Sequence, residues 1–203
     1  PTQIAELDLD IPFNGHLIGE SYFFKNKKIN KPMDFSGKNY MSLVDQHNFL
    51  IQLIFPEISN SKSQLQLTES DYEFLLREMS MLPRESEFPK YGEDYYDSYC
   101  KFFIYGNSKQ RMPDHVKIFN KVGLAYGFLL DNAYIVDFEN KIEFFLSAVV
   151  YSNSNGVLND DSYDYDTLTM PFLADVGRAI YEYELQRDRE FDPDLSHLNK
   201  IDS

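Results

Sequence analysis

The chain of 203 residues is long enough to bury a substantial core without disulfides or metal ions. It is 43% apolar and 26% charged, which is typical of a globular protein and excludes a disordered or collagen-like chain. Its net charge of −14 disfavours nucleic acid as a partner, so we expect no nucleic-acid binding. The densest basic run, KNKK at 25–28, falls in a predicted hairpin turn and is interpreted as a solvated tip.

A single cysteine, Cys100, excludes an intrachain disulfide and leaves the redox compartment open. No apolar run reaches the roughly 18 residues of a membrane span, and these residues predict no secretory signal. Because the chain begins with Pro1 rather than methionine, we expect that a segment upstream of it has been removed.

The first third of the chain predicts an extended arm, a hairpin and two helices. The arm covers 1–15, and the hairpin covers 16–35, with its return strand broken by Pro32. The first helix is predicted over 42–55 and the second over 68–81, each with a hydroxyl residue as N-cap and a proline just after its end.

A long irregular segment follows at 84–114, and its many aromatic residues indicate that it is packed rather than free. Three consecutive strands are then predicted at about 116–122, 126–138 and 142–151, and the tight turn at 139–141 makes the last two antiparallel. The third strand is almost wholly apolar, so both its faces should be covered. An acidic loop at 152–167 leads into a last amphipathic helix over 171–187. The fold class is therefore α/β of the α+β type, in a single domain or in the C-terminal portion of a larger one.

The stretch NKVGLAYGFLLDNAYI, at 120–135, places Lys121 and Gly123 inside a predicted strand. A lysine is costly to bury unless it is paired, and a strand glycine often marks a place where another backbone comes close. An edge-strand lysine also has an ordinary explanation, because a solvated charge there opposes aggregation.

This stretch and its continuation to Ser152 resemble the C-terminal part of the serine β-lactamases and penicillin-binding proteins, class A enzymes in particular. In that family a strand carries Lys-Thr/Ser-Gly, and Lys121-Val122-Gly123 matches two of those three positions. The remaining matches come in the family's order: Tyr126-Gly127, Asp131-Asn132, Ala133 and Tyr151-Ser152. The resemblance covers residues 40–187 and is strongest over 118–185.

The resemblance implies an acyl-transfer site in which a serine forms a covalent ester. Lys121 would be the catalytic lysine that stabilises negative charge, and Gly123 would leave room for a substrate lying along the strand edge. The backbone N–H of Leu124 would be an oxyanion donor. Val122 departs from the family because it cannot donate the hydrogen bond of the usual hydroxyl, which places β-lactam recognition in doubt.

The nucleophile motif Ser-x-x-Lys occurs literally at 59–62, in a polar loop between two helices, and is interpreted there as coincidence. The family's Ser-x-Asn motif is missing. Two hypotheses remain. The chain is the C-terminal portion of a serine hydrolase whose missing N-terminal portion supplies the nucleophile, or it is a catalytically inactive binding or scaffold module. The partners would be a small-molecule or peptide acyl substrate and that N-terminal portion. Self-association through an exposed sheet edge is a further expectation, and family analogy suggests a periplasmic or secreted location.

Other clusters predict no further site and no cofactor. The four histidines show no metal-ligand spacing, and His47 on the first helix is interpreted as a satisfied, half-buried residue. Cys100 could act with His115 only if the fold joined them, and a buried, inert thiol is the favoured interpretation. The acidic cluster at 160–166 lacks the order of a calcium loop.

Overall fold

A computed structural model describes residues 15–39, 41–58 and 65–198. The predicted arm therefore lies almost wholly outside the described residues, as does the Ser-x-x-Lys at 59–62. The N-terminal hairpin is confirmed, with β2 (Ser21–Phe24) antiparallel to β3 (Lys27–Ile29). Two short strands, β1 (Leu17–Ile18) and β4 (Met33–Asp34), pair beside it.

Both predicted helices form where their caps place them. The helix α1 spans Leu43–Ile54 and is capped by the Ser42 hydroxyl, which accepts the Asp45 backbone N–H at 3.0 Å. The helix α2 spans Glu69–Ser80 and has a full capping box, in which Thr68 and Asp71 bond each other's backbone N–H. These caps satisfy N–H groups that the first helical turn leaves unpaired.

The predicted meander is the main sheet of the molecule. The strands β5 (Val116–Ala125), β6 (Phe128–Asp137) and β7 (Ile142–Tyr151) pair antiparallel in that order. A tight turn with left-handed backbone at Tyr126 and Gly127 joins β5 to β6, so β5 runs three residues further than predicted. Two further elements follow: β8 (Val157–Leu158) and the long helix α3 (Met170–Gln186).

The acidic loop is more structured than predicted. Its strand β8 pairs in parallel with β2 and so ties the N-terminal hairpin to the C-terminal half of the chain. A π-helical turn, Tyr165–Thr169, leads directly into α3.

The sheet separates two cores. On one face β5 and β6 pack against α3 and the irregular segment, with Phe103, Ile118, Leu129 and Leu173 at its centre. On the other face Phe119 and Tyr134 pack against Leu50 of α1 and Leu76 of α2. The central strand β6 is therefore the most buried element.

The prediction that both faces of β7 are covered is wrong at its C-terminal end. Val149 and Tyr151 are 45% and 42% exposed, so the described residues leave the end of this strand partly uncovered. Among the described residues β7 has a strand partner on one side only, so it is an edge strand.

The irregular segment is held against the sheet and α3. Phe102 and Phe103 are buried, and α3 approaches them so closely that a Cβ on Gly177 would lie 2.4 Å from the Ile104 backbone nitrogen. Glycine at 177 is therefore required by packing, and the segment is part of the core as its aromatic content predicts.

Candidate functional site along the edge of β5

The predicted site residues lie together on β5, which is the edge strand opposite β7. Among the described residues β5 pairs only with β6, so its outer side has no strand neighbour. Lys121 and Leu124 are exposed, and Val122 and Gly123 are partly exposed. This stretch is accessible to a molecule approaching the sheet edge.

Lys121 projects from the sheet and its ammonium group donates to the Val122 carbonyl oxygen at 2.6 Å. No carboxylate of the described residues forms an ion pair with it. The lysine is thus an exposed, locally satisfied cation rather than a buried one.

Val122 has a structural reason for being apolar, because its side chain packs against the core on the α3 face. Gly123 has no such reason. A Cβ at this position would meet only the Leu130 side chain, at 3.6 Å, which is an ordinary contact, and its backbone is not left-handed. The fold therefore tolerates a side chain at 123, and the glycine leaves the sheet face next to Lys121 without one.

A groove lies at the C-terminal end of β5. It has a volume of about 610 Å³, and Leu124, Ala125 and Tyr126 form one wall of it. Tyr163, Tyr165 and Asp166 contribute to the other side. A smaller concavity lined by Tyr96 and Lys109 shares Asp166 with it. The exposed stretch of β5 thus leads directly into a groove.

A buried polar network lies directly behind Lys121 and was missed in the sequence. The Asn120 side chain accepts from the Lys101 ammonium at 2.7 Å and donates to an Asp131 carboxylate oxygen at 2.8 Å. The other Asp131 oxygen accepts the backbone N–H of Phe102 at 2.9 Å and of Phe103 at 3.3 Å. The network thereby fixes the irregular segment to β5 and β6.

Burial shifts both charged groups of this network toward neutrality. It lowers the pKa of Lys101 to about 8, and the nearby Asp131 charge offsets only part of that effect. It raises the pKa of Asp131 to about 6, against the opposing effect of the hydrogen bonds from Asn120 and the two backbone N–H groups. Lys101, Asn120 and Asp131 are all buried, and their hydrogen bonds join the irregular segment to the sheet, so we interpret the network as structural.

A second literal Ser-x-x-Lys, from Ser98 to Lys101, was also missed in the sequence. Ser98 is 1% exposed and donates to the Ser108 carbonyl at 2.6 Å, whereas the Lys101 ammonium is bound to Asn120 and to the Met79 carbonyl. Serine and lysine have separate partners, and neither reaches the surface. This motif does not supply a nucleophile.

Of the remaining candidates, His47 and His115 lie apart from the exposed stretch of β5, whereas Cys100 lies beside it, because its carbonyl oxygen accepts from the Asn120 side chain and its thiol interacts with the Lys121 charge. His47 is half-buried and satisfied as predicted, with its Nδ1 2.7 Å from the Ser147 hydroxyl. Cys100 is exposed, so the prediction of a buried thiol is wrong. Part of the residue is still shielded from water, and this desolvation raises the pKa of the thiol. His115 instead faces Asp137 and Glu139.

Within the described ranges, no group of three histidine, cysteine or acidic residues is arranged to hold a metal ion. The same part of the chain contains no helix with the length and hydropathy needed to cross a membrane.

Comparison of the chain with family models, with curated proteins and with solved structures found no match. The residues and geometry of the β5 edge are therefore the basis on which we infer a function.

Proposed function

We propose that this chain is the C-terminal part of a serine hydrolase similar to β-lactamases and transpeptidases, in which the β5 edge forms one wall of an acyl-transfer site. The observation that carries the proposal is the combination of an exposed Lys121 with a Gly123 that the fold itself does not require. An extended substrate could add its backbone to this edge. Lys121 would stabilise negative charge beside the attacking serine, and the Leu124 N–H would face the oxyanion.

The nucleophile would come from a segment that is not among these 203 residues. The Ser-x-x-Lys at 98–101 is buried with separate partners, and the one at 59–62 is interpreted from its sequence context as coincidence. The meander, its order of strands and the helix α3 behind it are consistent with this role. The reaction would be transfer of an acyl group to the serine hydroxyl, with loss of the leaving group, followed by release to water or an amine.

A second candidate function is a non-enzymatic binding or scaffold module with the same architecture. It is favoured by Val122, whose side chain packs inward where the family has a substrate-binding hydroxyl, and by the Lys121 ammonium, which donates to a neighbouring carbonyl. In such a module the β5 edge would still bind an extended segment, without chemistry.

The experiment is covalent labelling of the whole protein encoded by the gene. The protein is incubated with a fluorescent penicillin and, separately, with an activated acyl ester, and adducts are identified by intact mass. We expect a serine adduct that forms at least about tenfold more slowly in Lys121→Ala, since one electrostatic contact to the transition state is lost. Lys117→Ala, on the same strand and the same face, is the matched control and should label at the normal rate.

Equal labelling of both variants would show that Lys121 has no catalytic role. No adduct with either reagent, together with no upstream Ser-x-x-Lys in the gene, would favour the binding module instead.

A further inference from the structure

The groove at the end of β5 has a lining that suits a cation. Three tyrosines line it, Tyr126, Tyr163 and Tyr165, together with Asp161 and Asp166. The lining residues include no basic residue of the described chain, and the nearest cation identified is Lys38, whose ammonium contacts Tyr126. A volume of about 610 Å³ lies within the range of small-molecule sites.

The Asp161 and Asp166 side chains are exposed, and Asp166 lies in the first turn of the π-helical segment that leads into α3. Neither Asp161 nor Asp166 forms a hydrogen bond or an ion pair with any described residue. Their acidic neighbours Asp160 and Asp164, by contrast, bind side chains and backbone of the same loop. Negative charge at the groove also contributes to the raised pKa of Tyr163, after the larger effect of burial.

Two of the tyrosines are held rigidly. The Tyr165 hydroxyl accepts the Gly127 backbone N–H and the Tyr163 hydroxyl accepts the Asn159 backbone N–H, each at 2.8 Å. The two rings lie 5.3 Å apart. Their positions are thus fixed before a ligand arrives, which lowers the entropy cost of binding.

The third tyrosine already binds an ammonium group within the molecule. The Lys38 ammonium lies 5.2 Å from the centre of the Tyr126 ring and donates to its hydroxyl at 3.2 Å. Aromatic faces attract cations through the ring quadrupole, and nearby carboxylates add to this attraction.

We infer that this groove is a binding site for a small organic cation bearing an alkylammonium group, held by Asp161 and Asp166 against Tyr163 and Tyr165. The inference does not depend on the proposed acyl transfer, because it concerns only binding. It assigns a use to the two carboxylates that the fold leaves without partners.

The test is an NMR titration of the ¹⁵N-labelled 203-residue chain with butylammonium chloride, at constant ionic strength maintained with sodium chloride. We expect saturable shifts at the amides of Leu124, Ala125, Tyr163 and Tyr165. The neutral probe 1-butanol should bind at least about fivefold more weakly, because it lacks the charge that the carboxylates attract.

The double variant D161N/D166N should weaken butylammonium binding by about fivefold or more. The control D188N/E190Q removes the same charge near the end of α3 and should bind like the unmodified chain. Conserved amide dispersion would show that both variants are folded.

The inference is overturned by any of three results: butanol binds as well as butylammonium, D161N/D166N binds unchanged, or the shifts map away from the groove. None of these measurements detects acyl transfer, so failure here is distinct from failure of the proposed function.

Discussion

Two neighbouring residues on β5 lie on opposite faces of the sheet, because side chains alternate along a strand. Asn120 points inward and is the centre of a buried network, whereas Lys121 points outward and is exposed. Lys101, in contrast, is only 4% exposed, and its ammonium group donates to two acceptors. A lysine can therefore be interpreted only once its burial is known, and the structure supplies that burial for both residues.

Replacement of Lys101 by methionine should destabilise the protein at pH 7 by about 1–3 kcal/mol. The reason is that the Met79 carbonyl and the Asn120 side chain would both lose a buried donor. Urea denaturation followed by circular dichroism measures this loss. The exposed Lys90→Met is the matched control and should change stability by less than about 0.5 kcal/mol.

The unmodified chain and Lys101→Met should also differ in how their stability changes with pH. The pKa of Lys101 is about 8 in the folded chain and has its ordinary value of 10.5 in the unfolded chain. Between these values the unfolded chain binds more protons, so stability rises with pH across this window. The stability of the unmodified chain relative to Lys101→Met should therefore increase from pH 8 to 10, by about 2 kcal/mol. If this stability difference stayed constant or fell with pH, desolvation would not be lowering the pKa of Lys101 in the folded chain.

At the scale of elements, caps and periodicity were sufficient to place the helices and the main strands. Ser42, Thr68 and the tight turn after Phe138 are local signals, and each works within a few residues. The groove and the buried network could not be predicted in this way. They join residues that are far apart in sequence, such as Lys101 with Asn120 and Leu124 with Tyr163. The β5 edge could be proposed from sequence only because its residues are consecutive.

Substitutions at Ser42 test whether its hydroxyl stabilises the N-terminus of α1. Ser42→Ala removes the acceptor of the Asp45 N–H and should cost about 1 kcal/mol, whereas Ser42→Gly should cost only a few tenths. Thermal and urea unfolding of both variants measure the difference. If Ser42→Ala changed the free energy of unfolding by less than about 0.3 kcal/mol, the hydroxyl would not be stabilising this helix end.

At the scale of the whole molecule, the irregular segment should unfold together with the sheet. Phe103 is fully buried, and its backbone N–H donates to Asp131 of β6, the strand shared by both cores. A segment held in this way has no separate core of its own, so it cannot open without exposing the sheet. The amides of Phe102 and Phe103 should consequently exchange hydrogen as slowly as those of β6.

Substitutions at Phe103 test this coupling. Phe103→Ala should cost about 3–5 kcal/mol, which is a large part of the total stability of a domain, so Phe103→Leu is the informative variant. It should cost about 1–1.5 kcal/mol and accelerate exchange in β6 and in the segment by the same factor, because both exchange through one global opening. Phe88→Ala, at a side chain that is 96% exposed, should leave both rates unchanged. Faster exchange confined to the segment would instead show that it opens independently, and the back of the β5 edge would then be a mobile surface rather than a rigid wall.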